Sequence, residues 1–151
     1  MPSFNRTPAN DAAPRAWETF PHGADVGVRG YGDSPAEAFA NAAMALTSVI
    51  TDPAGVRPRA CVPLACAAPD REILLADWLN ALVTTMATEG MLFSRFEVEI
   101  AHDRLSARAF GEPVDPERHA PAVEVKGATF TELEVARDPD GRWRAQTVVD
   151  V

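Results

Sequence analysis

Two stretches of the chain carry apolar residues at the spacing of an amphipathic helix. The first begins after Ser34, which can cap it, has Pro35 at its first position and should run to about Ile50. The second begins after Asp70 and should end near Gly90. The apolar stripes are Phe39, Ala43, Leu46 and Ile50 in the first helix, and Leu75, Leu79, Leu82 and Met86 in the second. We expect both stripes to be buried where the helices meet a sheet.

Shorter β-forming stretches surround these helices and predict strands. They are 17–20, 26–31, 60–67, 95–100, 104–109, 123–135 and 143–149. A bulge is expected at Gly127, and the proline-rich segment 111–122 should be a long exposed loop. The order of elements predicts the α+β class, with a single-domain sandwich of mostly antiparallel sheet and two main helices over 17–151. Residues 1–16 lack periodicity and predict a disordered leader.

The composition excludes several classes of function. The 151 residues include 14 basic and 22 acidic side chains, for a formal net charge of −8. Such a surface repels phosphate backbones, so we expect no direct nucleic-acid binding. No apolar run could span a membrane and no signal peptide is visible, so we expect no membrane contact and a cytoplasmic protein. The two cysteines, Cys61 and Cys66, should be reduced thiols.

Few residues offer chemistry, because no nucleotide-binding or hydrolase motif occurs in the sequence. Thirteen of the 14 basic residues are arginine, and Lys126 is the one lysine. A bias towards arginine would replace most lysines, so Lys126 either remains by chance or lies at a position that needs a compact ammonium. Alternation along its strand turns Lys126 towards solvent, opposite to Val125. His102 and His119 should lie on the surface.

A second candidate lies at the start of the predicted strand 26–31. His22 precedes Asp25 by three residues, and the neighbouring glycines would let backbone or a ligand come close. The carboxylate of Asp25 either caps its own turn or, if the two ends of the chain meet, joins Asp150 and the carbonyl or carboxylate of Val151. An oxygen-only cluster suits a hard cation, Ca²⁺ or Mg²⁺, and without one its carboxylates would repel.

These motifs, with several others, occur in the order found in the archease family, which the sequence resembles from Trp17 to Val151. The matching segments are His22-Gly23-Ala24-Asp25-Val26-Gly27, Arg29-Gly30-Tyr31-Gly32, Ala38-Phe39-Ala40-Asn41-Ala42-Ala43, Leu74-Leu75-Ala76-Asp77-Trp78-Leu79-Asn80, Phe93-Ser94-Arg95-Phe96, Gly111-Glu112-Pro113, Glu124-Val125-Lys126 and Asp150-Val151. The resemblance implies a compact α+β sandwich that promotes guanylylation and turnover of an RtcB-type RNA ligase, the enzyme that joins RNA ends after tRNA splicing.

The resemblance also implies site residues. Asp25, Asp150 and the backbone oxygen of Val151 correspond to the ligands of a divalent cation, usually described as calcium, and Lys126 to a functionally important lysine. The family often has histidine where this chain has Thr131.

Three functions stay open at this point. The resemblance favours an accessory protein, itself no enzyme, whose acidic surface docks beside the basic RNA-facing site of the ligase and inserts Lys126 and the cation there. A chaperone-like module for RNA-modifying enzymes is the second. The third is a metal-dependent hydrolase in which Asp25 and Asp150 hold the ion and His22 acts as general base.

Overall fold

The structure, a computed structural model, describes residues 15–151. The predicted leader therefore lies outside the described residues, except for Arg15 and Ala16, whose carbonyl groups accept hydrogen bonds from Arg142 and Tyr31. The strands are β1 (Trp17–His22), β2 (Asp25–Gly32), β3 (Ala60–Ala67), β4 (Met91–Ala101), β5 (Arg104–Pro113), β6 (Gly127–Ala128), β7 (Glu134–Arg137) and β8 (Trp143–Asp150). The helices are α1 (Pro35–Ile50), α2 (Arg71–Glu89) and the four-residue α3 (Pro116–His119), with a short 3-10 turn at Pro53–Gly55.

The strands form two antiparallel sheets, which confirms the α+β class. The larger sheet has the order β1-β2-β8-β6, and β7 also pairs with β8. The smaller sheet has the order β3-β5-β4 and contains both free cysteines, Cys61 and Cys66, on β3. In the part of the chain that the structure describes, no helix is long and apolar enough to cross a membrane.

Helix α1 packs closely on β2 because of its cap and because of one glycine. The Ser34 hydroxyl accepts the backbone N–H of Glu37 over 3.2 Å, as the capping pattern predicts. Gly30 of β2 lies against the helix backbone: a Cβ there would stand 2.1 Å from the amide nitrogen of Ala42. Only glycine therefore permits this contact between helix and sheet.

Helix α2 lies across the core and is linked to α1. The Asp70 carboxylate caps it, and Gly90 ends it in the left-handed conformation, with a φ of 64°. The indole N–H of Trp78 donates to the carbonyl of Phe39 over 3.0 Å. The predicted stripes are buried in both helices, with the exception of the half-buried Met86.

Two predictions for residues 111–135 were wrong. The expected loop over 111–122 continues β5 to Pro113 and then forms α3. The expected strand over 123–135 is reduced to β6 and β7, and the irregularity falls at residues 129–133 rather than at Gly127. The local alternation of these residues is outweighed by pairing with β8, which the two short strands share.

His119, expected on the surface, is also buried, and it pairs with Glu112. Its Nδ1 accepts the backbone N–H of Asp115, so Nε2 carries the proton and donates to the Glu112 carboxylate over 2.9 Å. Hydrogen bonds from the backbone N–H of Arg57, from His119 and from Arg118 overcome desolvation and lower the pKa of Glu112 to about 2. The pair holds α3 against the end of β5, whereas His102 is exposed, as expected.

Candidate functional site

Several strand ends converge at one end of the larger sheet, which we call the tip. His22, the last residue of β1, lies opposite Asp25, the first residue of β2. The register of β2 with β8, continued by one residue, sets Asp25 opposite Asp150, and Gly127 of β6 lies opposite Asp150 on the other side. Directly opposed residues share a face, so His22, Asp25 and Asp150 stand in one row across three strands. The tip consists of His22, Asp25, Lys126, Gly127, Asp150 and Val151.

The two ends of the chain thus meet at Asp25. The backbone N–H of Val151 donates to the Asp25 carboxylate over 3.4 Å, while the Asp150 side chain is exposed. Neither carboxylate takes part in an ion pair within residues 15–151. Two like charges on directly opposed residues repel, which makes an uncompensated tip unfavourable.

The donor atoms that Asp25, Asp150 and the Val151 backbone offer to a metal are oxygens. Among the described residues, no group of three or more His, Cys, Asp or Glu side chains is placed to hold a metal ion. A cation at the tip would therefore use the Asp25 and Asp150 carboxylates together with backbone oxygen, and water or a partner would complete its shell. Open oxygen-only sets of this kind fit Ca²⁺ or Mg²⁺ and do not fit softer transition metals.

Lys126 is joined to Asp150 through its backbone, and its side chain faces solvent. Its backbone N–H donates to the carbonyl of Asp150 over 2.7 Å, which fixes the backbone of the residue before β6. Its side chain is exposed, and none of the ion pairs in the described part of the chain includes it. The preceding Val125 is buried at 6% exposure, as the alternation predicts.

Sequence reasoning missed the residue that holds this short strand in place. Asn80, on α2, accepts the backbone N–H of Ala128 at its Oδ1 over 2.9 Å and donates from its Nδ2 to the Ala128 carbonyl over 3.3 Å. The amide thus takes the place of a neighbouring strand for β6. The available signal was one polar side chain within the broad apolar face of the second helix.

The imidazole of His22 reaches a third carboxylate, that of Glu132. Its Nε2 lies 3.8 Å from the Glu132 carboxylate, and the two side chains are 41% and 51% exposed. Glu132 holds a φ of 56°, a left-handed conformation that is uncommon for residues other than glycine. The structure thus joins the β1–β2 turn to the segment between β6 and β7, and sequence reasoning had given Glu132 no role.

Comparison with known proteins agrees with this architecture. The model of the Archease protein family matches residues 17–151. The protein archease of Pyrococcus abyssi is 40% identical over 141 residues, which cover 91% of this chain and 99% of that relative. The protein archease of Methanopyrus kandleri is 40% identical over 139 residues, which cover 89% of this chain and 99% of that relative.

A solved structure shares the fold as well as the sequence. The solution structure of Methanobacterium thermoautotrophicum protein 1598 superposes with a TM-score of 0.78 at 36% identity. The match covers 90% of this chain and 99% of that one. Sequence and fold therefore agree over the whole described domain, and the chain belongs to the archease family.

Proposed function

We propose that this protein is an accessory protein of tRNA processing that activates an RtcB-type RNA ligase by promoting its guanylylation and multiple turnover. Membership of the archease family supports the accessory role, and the names of the family and of its relatives denote a protein and no enzyme class. The observation that carries the proposal is the exposed side chain of Lys126, whose backbone is bonded to Asp150 at the end of the sheet where Asp25 and Asp150 are opposed. Guanylylation and RNA joining are then the chemistry of the ligase.

A divalent cation, Ca²⁺ or Mg²⁺, is part of this proposal. Asp25, Asp150 and the backbone oxygen of Val151 would hold it. The cation would neutralise the row of carboxylates and supply positive charge at the surface that meets the ligase. The oxygen-only donor set and the repulsion between the two carboxylates support this assignment.

Lys126 presents a compact positive charge immediately before β6. Its backbone is fixed by the hydrogen bond to Asp150, and the next strand is fixed by Asn80, so the position of its Cα is set before any partner binds. A preorganised ammonium can pair with a phosphate oxygen of GTP or with a carboxylate of the ligase. We assign it this contact and assign His22 a supporting place at the rim of the tip.

The formal net charge of −8 supports docking on a basic surface. The RNA-facing surface of a ligase must be basic to hold a phosphate backbone. An acidic protein docked beside it would be steered there by charge, and the same charge disfavours its own binding to nucleic acid.

The decisive experiment compares variants of Lys126 in multiple-turnover ligation by the RtcB-type ligase of the same cell. Lys126→Ala should abolish activation, and Lys126→Arg should restore part of it, because a planar fork cannot present the same compact charge. Both variants should melt like the wild type, since exposed substitutions shift stability by within about 0.5 kcal/mol. Arg104→Ala, which removes an exposed cation from the smaller sheet, is the matched control and should activate normally.

Three outcomes would contradict the proposal. A Lys126→Ala protein that activates fully removes the lysine from the mechanism. Many client proteins in place of one dominant ligase, after purification from cells, would favour the chaperone-like function. Hydrolysis of phosphoesters by the purified protein alone would favour the hydrolase.

A further inference from the structure

The edge strand that covers β8 is broken beside the tip. Ala128 lies opposite Val149, and the next pair along the edge sets Glu134 opposite Gln146. Five residues, 129–133, therefore stand against two residues of β8, so three of them have no place in the ladder. Insertions of this kind re-aim side chains and occur preferentially next to functional sites.

The extra residues are not loosely held. The backbone N–H and the hydroxyl of Thr129 both donate to the Val148 carbonyl, over 2.9 and 2.7 Å. The N–H of Val148 donates back to the carbonyl of Thr131 over 3.1 Å, and the Thr147 hydroxyl donates to the carbonyl of Thr129 over 2.5 Å. Both sides of the break are thus fixed to the same place on β8, and Phe130 is extruded between them.

The extrusion leaves the side chain of Phe130 in solvent. It is 68% exposed, and Val123, at 40%, is the other exposed large apolar residue among residues 15–151. Leu133, in the same segment, is the residue that packs against the core. Burial in this fold therefore gives no reason for an aromatic residue at position 130, whereas aromatic side chains, Phe among them, are enriched at protein interfaces.

Phe130 also lies close to the tip. Its flanking residues bond to Val148, which is two residues from Asp150 along β8, a distance of about 7 Å at the rise of a strand. Two residues after Phe130, the Glu132 carboxylate reaches His22. A partner that covers the carboxylates and Lys126 would therefore cover this ring as well.

We propose that Phe130 is the apolar anchor by which this protein grips the ligase, inserted into an apolar pocket beside the site that receives the tip. The inference rests on the proposed function and names the contact that provides affinity. Two acidic residues lie near the ring along the chain and the sheet, with Glu132 two residues after it and Asp150 at the tip, whereas Glu134 is paired with Arg144. The pocket on the ligase should accordingly be bordered by basic side chains.

The test separates affinity from activation. Phe130→Ser should weaken equilibrium binding to the ligase at least tenfold, since buried aromatic anchors dominate interface energies. Phe130→Leu should keep part of the affinity. At saturating concentration Phe130→Ser should reach the activation of the wild type, because Lys126 is intact, whereas Lys126→Ala should fail at any concentration. Val123→Ser is the matched control and should bind normally.

The possible failures are distinguishable. Wild-type affinity in Phe130→Ser, with activation by the wild type intact, would overturn the anchor and leave the proposed function standing. A wild type that neither binds nor activates the ligase would overturn the proposed function and the anchor with it. If sedimentation shows that the protein alone is an oligomer and that Phe130→Ser is a monomer, the ring packs against a second copy and the inference is wrong.

Discussion

Replacing Asp150 by asparagine should stabilise the metal-free protein and remove its response to divalent cations. Asp150 is the better of the two carboxylates to change, because Asp25 accepts the Val151 N–H, whereas the Asp150 side chain makes no hydrogen bond or ion pair with residues 15–151. The substitution thus removes one charge of an opposed pair and almost nothing else.

The size of the effect follows from the register. The Cβ atoms of directly opposed residues stand about 5 Å apart, and two unit charges at a similar separation repel by about 0.8 kcal/mol in a water-like dielectric. The sheet beneath them lowers the effective dielectric constant, and salt screens the repulsion by roughly half. We therefore expect the free energy of unfolding of Asp150→Asn to exceed that of the wild type by about 0.5 to 1 kcal/mol. For a domain of this length the melting temperature should rise by roughly 1 to 4 °C in the presence of a chelator.

Adding Ca²⁺ or Mg²⁺ should reverse the order of the two melting temperatures, so that the wild type melts above Asp150→Asn. A cation at a hundred times its dissociation constant stabilises the wild type by about 2.7 kcal/mol, and the variant lacks half of the carboxylate donors. The assay is thermal unfolding of both proteins with chelator and with each ion. Asp103→Asn, in the exposed β4–β5 turn, is the control for loss of one negative charge and should respond to the ions as the wild type does. The reasoning is refuted if Asp150→Asn melts below the wild type in chelator, or if it keeps the full shift with either ion.

Two further predictions concern stability. Gly30→Ala should lower the free energy of unfolding by about 3 kcal/mol or more in chemical denaturation, because the added Cβ would stand 2.1 Å from the backbone of α1. Gly55→Ala is the control and should be nearly neutral, because nothing lies within 4 Å of a Cβ there. Glu112→Gln should flatten the acid side of the pH–stability curve: the pKa of Glu112 is lowered to about 2, so the folded wild type is favoured above the ordinary pKa of 4.5 and loses that advantage as the pH falls towards 2. A Gly30→Ala protein as stable as the wild type would show that the contact between Gly30 and α1 is wrongly described. If stability falls with acid in Glu112→Gln as it does in the wild type, the hydrogen bonds of Glu112 are wrongly described.

The helices were predictable because the signals that define them are local. Ser34 and Asp70 cap them from the adjacent residue, Gly90 ends the second, and the apolar stripes fix their buried faces within a few turns. The predicted strands 17–20 and 26–31 stop short of the two-residue turn that joins β1 to β2. Pro21 nevertheless belongs to β1, an edge strand, where proline is tolerated.

The sequence predicted the tip only on the condition that the two ends of the chain meet. The sequence places Asp25 at a strand start and Asp150 at a strand end, but nothing local decides that β2 and β8 are neighbours in the sheet, since their residues are more than a hundred positions apart. The burial of His119 had no local signal either, because it depends on Glu112 from another element. Extrusion of Phe130 results from a shift in register between β6 and β7, which periodicity cannot reveal.

The tip differs from the rest of the larger sheet in how its charged side chains are paired. Elsewhere on the larger sheet the charges are paired across strands, with Arg29 on Glu18 at 2.9 Å and Arg144 on Glu134 at 2.6 Å. At the tip, two carboxylates oppose each other and the Lys126 side chain faces solvent; in the adjoining segment 129–133, the phenyl ring of Phe130 is extruded and Glu132 holds a left-handed backbone. Each of these features costs stability or contributes nothing to it, and all lie at one end of the sheet. Folding alone gives no reason for such a concentration, whereas a cation and a partner protein bound at the tip would compensate all but the strained backbone.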